Sequence, residues 1–207
     1  MTRRLVVLGA GGHAKVVLAT AIAAGFEVVG VLDDDPAKWE QTVLGVPVTG
    51  PIRKVTSEEV SVVLGVGDNQ SRERLAGLGL RWTSVIHPSA LVHPSVEIGS
   101  GTVVFAGAVI QPDVVIGEHS IINTGATVDH DCVLGAFVHV APGVHLSGGV
   151  KLGNGVFLGI GSAAIPGVTV GDWTVVGAGG IVVEDLPPGV TAVGVPAKTL
   201  YPRESGD

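Results

Sequence analysis

At 207 residues the chain can form one large domain or two small ones with a buried core, and its net charge of −7 without any run of Lys or Arg lacks the basic face that a nucleic-acid binder needs. A single cysteine excludes an internal disulfide framework, and no stretch is long and apolar enough for a membrane-spanning helix. Abundant glycine (32 residues) beside only 4% aromatics fits a repetitive all-β core better than a helical bundle.

The chain opens on MTRRLVVLGAGGHAKVV. Two basic residues precede an apolar run, but Gly-Gly-His-Ala-Lys interrupts that run after about five residues, too early for a secretory signal. A cytoplasmic protein is expected. Leu5–Leu8 reads as a strand, Gly9-Ala10-Gly11-Gly12 as a tight loop, and His13 to Ala24 as an apolar helix. Glu27–Leu32 is a second strand ending in Asp33-Asp34-Asp35-Pro36. Ser61–Val66 is another, closed by Gly67-Asp68-Asn69, with a helix beginning near Ser71 and capped by Asn69 or Ser71. Strands alternating with helices predict a small parallel α/β unit over residues 1–84, half of a doubly wound fold.

From Ile86 a six-residue period takes over. Every sixth residue is aliphatic, as in Ile98, Val104, Ile110, Ile116, Ile122, Val128, Leu134 and Val140, and the residue four later is small or β-branched. This is the hexapeptide pattern of a parallel β-helix, with one short strand and one turn per hexad and three hexads per coil. It predicts a β-helix over residues 85–186 and a tail over 187–207. Solenoids need caps at both ends, and the N-terminal unit is expected to cover one of them. The sequence leaves the handedness open; known hexapeptide prisms coil left-handed.

Two places can carry chemistry. The glycine loop lets a backbone approach a phosphate at a helix N-terminus, and Asp33 or Asp34 at the next strand end can bind a ribose or sugar hydroxyl. The loop at Gly67 falls on the same sheet edge. A half-sized unit suits a nucleoside diphosphate better than a dinucleotide, although a tight turn alone would need the same glycines. Further along, Asp129-His130-Asp131 places an imidazole on a turn with an acid on either side, where it is either a solvated surface residue or a strengthened base. Eighteen residues on, one coil away, Gly148 or Gly149 can offer an N–H to an oxyanion beside His130. His139 and His145, one hexad apart, fall on different faces and do not converge on zinc within one chain; a zinc enzyme of the carbonic-anhydrase kind requires a shared interface. His87 and His93, each before a proline, and buried Cys132 read as structural, and Asp185, Lys198 and Arg203 as solvated.

The order Gly-Gly-His-Ala-Lys-Val-Val, Leu-Asp-Asp, Gly-Asp-Asn, Ile-Asn-Thr-Gly-Ala-Thr-Val-Asp-His-Asp-Cys and Val-Gly-Val-Pro-Ala-Lys resembles the sugar O-/N-acyltransferase family, from about residue 4 to 198. That family includes sialic acid O-acetyltransferases and nucleotide-sugar N-acetyltransferases, and the resemblance is nearer to the latter. It implies a left-handed β-helix, a homotrimer, acetyl-CoA in the groove between neighbouring helices and no metal. It implies a nucleotide-activated amino sugar on the N-terminal unit, acetylated at its 4-amino group by direct transfer during O-antigen or related glycan synthesis. Residue by residue, it implies His130 as the base, Asp131 as the acid tuning it, and Gly148 at the oxyanion position. Gly11, Gly12, His13, Asp33, Asp34 and Gly67 match nucleotide-sugar contacts, and His139, Ile160 and Ala178 match acetyl-CoA contacts. Some family members carry Ser at the position of Gly11. The alternatives are O-acetylation of the sialic acid type, the zinc enzyme, and a silent nucleotide-sugar-binding module. The sequence separates neither GDP from UDP or dTDP nor amine from hydroxyl acceptors.

Overall fold

The structure, a computed structural model, describes residues 3–55 and 60–200. Arg203 and the end of the tail lie outside the described residues. The N-terminal unit runs β1 (Arg3–Leu8), α1 (Gly12–Ala23), β2 (Phe26–Leu32), a small antiparallel hairpin of β3 (Thr42–Val43) and β4 (Val46–Pro47), β5 (Ser61–Leu64) and α2 (Asn69–Ala76). β1 is central in a parallel three-stranded sheet of order β2-β1-β5. Helix α1 buries Val17, Leu18 and Ala21 against Leu5, Val7 and Val31, while Leu8, Leu32 and Leu64 form a second core on which Leu75 of α2 packs. All three strands therefore end on one edge, where Gly9–Gly12, Asp33–Asp34 and Gly65–Gly67 meet. The cap of α2 is neither Asn69 nor Ser71 but Asp68: the chain stays extended through it, and its carboxylate accepts the Ser71 N–H at 2.8 Å.

Two-residue strands then recur every six residues from Val85–Ile86 to Ile181–Val182. Each pairs in parallel with the strand one coil on, as Val109 with Thr127 and Thr127 with His145, so three sheets form the faces of a left-handed prism. We call face 1 the sheet containing Val103–Val104, Ile121–Ile122, His139–Val140 and Phe157–Leu158, face 2 that containing Thr127–Val128 and His145–Leu146, and face 3 that containing Val115–Ile116 and Val133–Leu134. The sixth-position aliphatics Ile110, Ile122, Leu134 and Leu158 are buried inside.

Some turns admit no side chain. A Cβ on Gly117 would lie 2.5 Å from the Ala136 nitrogen, and one on Gly135 would lie 2.8 Å from the Asn154 nitrogen. These glycines answer to the closeness of the next coil. Gly117→Ala is expected to destabilise the protein by about 1–3 kcal/mol, read in a thermal melt, since the coil above must shift.

One expectation fails. The N-terminal unit does not cover the end of the prism; it lies along face 1, where Val85, Val103, Phe105 and Ile121 join the same core as Leu5 and Val7. The outward residues Val85, Val103 and Ile121 of face 1 are apolar and need cover, which draws the α/β unit to the flank. The first coil is left comparatively open, with Ile86 37% exposed. At the other end the chain departs from the six-residue period, yet Leu186 bridges to Val170 and Thr191–Val193 pairs with face 1 at Val175 and Val176, burying Ala192 and Ala197.

Candidate active site

At the sheet edge of the N-terminal unit, Gly11 is the N-cap of α1, and a Cβ on either Gly11 or Gly12 would meet nothing within 4 Å. The space above the loop is open. The two acids are not equivalent. Asp33 takes the Ala10 N–H at 2.7 Å, the Asp35 N–H at 2.9 Å and the Lys38 ammonium at 3.0 Å. Burial would raise its pKa, but those backbone donors and Lys38 together hold it below the usual value. Asp33 thus braces the glycine loop. Among the described residues Asp34 accepts only the Ile52 N–H, at 2.9 Å, through one oxygen.

The Gly67 loop joins the two halves. Arg72 is fully buried: its Nε donates to His119 O at 2.9 Å, Nη1 to Gly67 O at 2.8 Å, and Nη2 to Phe137 O at 2.7 Å and Val138 O at 3.2 Å. Asn69 donates from Nδ2 to Gly155 O at 2.9 Å and Val156 O at 3.3 Å. These two residues bolt α2 onto the corner between faces 3 and 1. Neither is readable from Gly-Asp-Asn-Gln-Ser-Arg-Glu-Arg, which looks like the polar first turns of a solvated helix.

Beside this bolt His13 and His139 come together, ring centroids 6.0 Å apart. His139 faces Gly67 O through Nδ1 at 3.3 Å and Asn123 Nδ2 through Nε2 at 3.1 Å. Burial first, then the Arg72 charge, pulls the pKa of His13 down to about 4 and that of His139 to about 3, so both are neutral at pH 7. His13 Nε2 is buried with no hydrogen-bond partner among the described residues. Ile160 and Ala178 stack in successive coils at the adjoining corner between faces 1 and 2, tied by the Gly179 N–H to Ile160 O at 2.8 Å, and Ile160 is exposed. The structure therefore brings Gly67, His13 and His139 into one cluster, with Ile160 and Ala178 along the next corner.

His130 stands apart, on the turn between faces 2 and 3, the corner opposite face 1. Its ring is exposed, with Nδ1 2.7 Å from Asp131 Oδ2, and its backbone N–H is held by Asp129 at 2.8 Å. The hydrogen bond to Asp131 and the nearby Asp129 charge raise its pKa above the ordinary value. One coil up, a Cβ on Gly148 would lie 2.6 Å from His130 Cε1 and 2.7 Å from Nε2. The Gly149 N–H is taken by His130 O at 2.9 Å, whereas the Gly148 N–H has no acceptor among the described residues. Of the two glycines, only Gly148 keeps a free donor there. Cys132 is buried with Sγ 3.2 Å from Ser147 O, and burial pushes its thiol pKa up. His139 and His145 lie on faces 1 and 2, and among the described residues no group of three His, Cys, Asp or Glu side chains is set to hold a metal.

Comparison with known proteins agrees with this two-part architecture. Residues 4–77 match the family model of the PglD N-terminal domain, and residues 95–130 that of the bacterial transferase hexapeptide (six repeats). A solved histidine-to-asparagine mutant of perosamine N-acetyltransferase from Caulobacter crescentus, in complex with CoA and GDP-perosamine, superposes with TM-score 0.89 at 45% identity, covering 96% of this chain and 97% of that one. The acetyltransferase domain of PglB from Neisseria gonorrhoeae in complex with acetyl coenzyme A gives TM-score 0.88 at 41% identity, covering 97% and 100%. Among curated relatives, UDP-N-acetylbacillosamine N-acetyltransferase of Bacillus subtilis is 39% identical over 114 residues, 50% of this chain and 52% of the relative. The match thus spans about half the length of that relative.

Proposed function

The chain belongs to the sugar O-/N-acyltransferase family, and from that premise we propose that it is an acetyl-CoA-dependent N-acetyltransferase acting on the 4-amino group of a nucleotide-linked amino-deoxy sugar. The observation that carries the reading is the His130 corner: an exposed imidazole with Nδ1 held by a carboxylate, and one coil up Gly148, where a Cβ would lie 2.7 Å from Nε2 and whose backbone N–H has no acceptor among the described residues. Its relatives in complex with CoA, acetyl-CoA and GDP-perosamine supply the substrate classes.

The chemistry follows from those atoms. Asp131 fixes the tautomer in which Nδ1 carries the proton, so Nε2 is the base. As the sugar amine attacks the thioester carbonyl, a C–N bond forms, the amine proton passes to Nε2, and the carbonyl oxygen becomes an oxyanion facing the Gly148 N–H. Collapse breaks the C–S bond, and the imidazolium returns its proton to the departing thiolate. An amine is already nucleophilic when neutral, so much of the rate comes from holding the two substrates together.

The site is completed by a second copy. His130 lies on the corner opposite face 1, which bears His139 and is flanked by the N-terminal unit, so a homotrimer in which one chain's His130 faces its neighbour's Gly67 cluster accounts for both halves. The same reading places the reaction in the cytoplasm, where acetyl-CoA is made, and in the synthesis of an O-antigen or related glycan.

Thiol release from acetyl-CoA with GDP-, UDP- and dTDP-linked 4-amino sugars tests the proposal. Turnover with an amino sugar but not its 4-hydroxy counterpart is expected. Turnover on hydroxyl acceptors alone would move the assignment to O-acetylation. Gly148→Ala is a sharper probe: its backbone is not left-handed, so alanine fits the fold locally, yet its methyl group displaces the His130 ring. A fall in kcat of about tenfold or more with an unchanged melt is expected.

A further inference from the structure

At the corner between faces 2 and 3, the residue that leads from strand into turn changes from coil to coil: Gln111, Asp129, Ser147 and Ile165 in succession. Asp129 alone among these four is charged. Its Oδ1 accepts the His130 N–H at 2.8 Å. At the corner between faces 1 and 2 the equivalent residue is Asn123, whose Oδ1 accepts the Thr124 N–H at the same 2.8 Å. A neutral amide therefore makes this turn contact equally well, and the fold does not require a charge at residue 129.

The charge is also uncompensated. Asp129 is half-buried, and among the described residues no Lys or Arg pairs with it and it accepts only the His130 N–H. It borders a cavity of about 220 Å³ on face 2, together with Val109, Gln111 and Thr127, immediately before the His130 turn. The titratable groups around it are His130 and Asp131 on the same turn, Asp113 on the turn one coil below, His145, which bonds Thr127 at 2.9 Å, and the buried Cys132. Asp131 is committed to His130 Nδ1, which leaves Asp129 open to a cation from the cavity. A part-buried carboxylate without a partner is stabilised by a cation that enters beside it.

The acceptor brings such a cation. A primary amine with a pKa like that of an α-amino group, about 7.7–8.0, is mostly ammonium at pH 7, whereas a hydroxyl is neutral there. The transfer described above starts from the neutral amine, so His130 accounts for only one of the two protons that an ammonium must lose. Resting on the amino-sugar reading above, we propose that Asp129 is a specificity-determining residue that recognises the acceptor as its ammonium and so favours a 4-amino over a 4-hydroxy sugar. The ammonium docks against Asp129 from the cavity and gives its first proton to solvent water. The neutral amine then forms the C–N bond, its second proton passes to Nε2, and the C–S bond breaks as that proton leaves with the thiolate. One ammonium sugar and one acetyl-CoA thereby yield the amide, free CoA and one proton in water.

Calorimetric titration of the full chain without acetyl-CoA, using GDP-, UDP- and dTDP-linked 4-amino sugars and their 4-hydroxy counterparts, tests this in wild type and Asp129→Asn. Asparagine keeps the acceptor for the His130 N–H, as Asn123 does at its own turn, and a thermal melt verifies the fold. At pH 7 the 4-amino ligand is expected to bind wild type more tightly than the 4-hydroxy ligand. It should lose about fivefold in affinity in Asp129→Asn, with the 4-hydroxy ligand unchanged. The gap between the two proteins should close at about pH 10, where the amine is neutral. Removing the charge also leaves His130 less protonated, which favours a cation rather than repelling it, so that side effect runs against the expected weakening. Equal affinity of both proteins for the 4-amino ligand at pH 7, equal weakening of both ligands, or a loss that persists at about pH 10 overturns the role of Asp129, while turnover on the amino sugar keeps the N-acetyltransferase reading. If wild type acetylates no amino sugar, that reading fails and this proposal with it.

Discussion

Replacing His130 with alanine is expected to lower kcat by about 10²–10⁴-fold while changing the KM for acetyl-CoA little. In the proposed mechanism the imidazole takes the amine proton and, being exposed on its turn, it adds nothing to the core. The pH profile gives an independent signature. In that mechanism the unprotonated form is the base, and Asp131 with Asp129 raises its pKa, so the acid limb of kcat should lie above the ordinary histidine value of about 6.5. Asp131→Asn removes that stabilisation of the imidazolium. The limb should then move to lower pH, and the plateau should fall because the tautomer is no longer fixed. An alanine variant with near-wild-type kcat would remove His130 from the mechanism. Total loss of turnover would instead favour a hydroxyl acceptor, which depends on a base more heavily.

Arg72→Met should destabilise the protein by about 3 kcal/mol, lowering the melting temperature by roughly 6–12 °C. The guanidinium satisfies four carbonyl oxygens, and methionine fills its volume while leaving those oxygens without their donor. Burial pulls the arginine pKa down only to about 10, with Asp68 opposing, so the group remains charged at neutral pH. Because Arg72 fixes Gly67, the KM for the nucleotide sugar should rise more than that for acetyl-CoA. Arg72→Lys keeps the charge but has fewer donors, and should recover part of both effects. A methionine variant that melts like wild type would show that the two halves are held by apolar contact alone.

The repeat was legible because its physics is periodic. A prism that must place one aliphatic residue inward every six residues writes that demand at Ile110, Ile116, Ile122 and Val128 with little freedom. The parallel order of β1, β2 and β5 was legible for a similar reason, since glycine or aspartate loops follow each strand. The flank placement was not, because it depends on which outward residues of the solenoid are apolar, and Val103, Ile121 and Phe105 resemble their neighbours in sequence. Arg72 was invisible: a charged residue in a polar helix gives no sign of burial when its partners are carbonyls 47 and 65 residues away. Counting one coil from His130 offers Gly148 or Gly149, and only the hydrogen bond of the Gly149 N–H to His130 O tells the two apart.

The bolt also bears on how such a protein can change. Arg72 and Asn69 grip the solenoid through the main-chain oxygens of residues 119, 137, 138, 155 and 156, and every amino acid supplies that same oxygen. At the corner itself, substitutions that preserve the turn would leave this grip in place. Side chains elsewhere on the solenoid can thus drift without undocking the N-terminal unit, and the joint tolerates diversification on one side while enforcing alignment on the other.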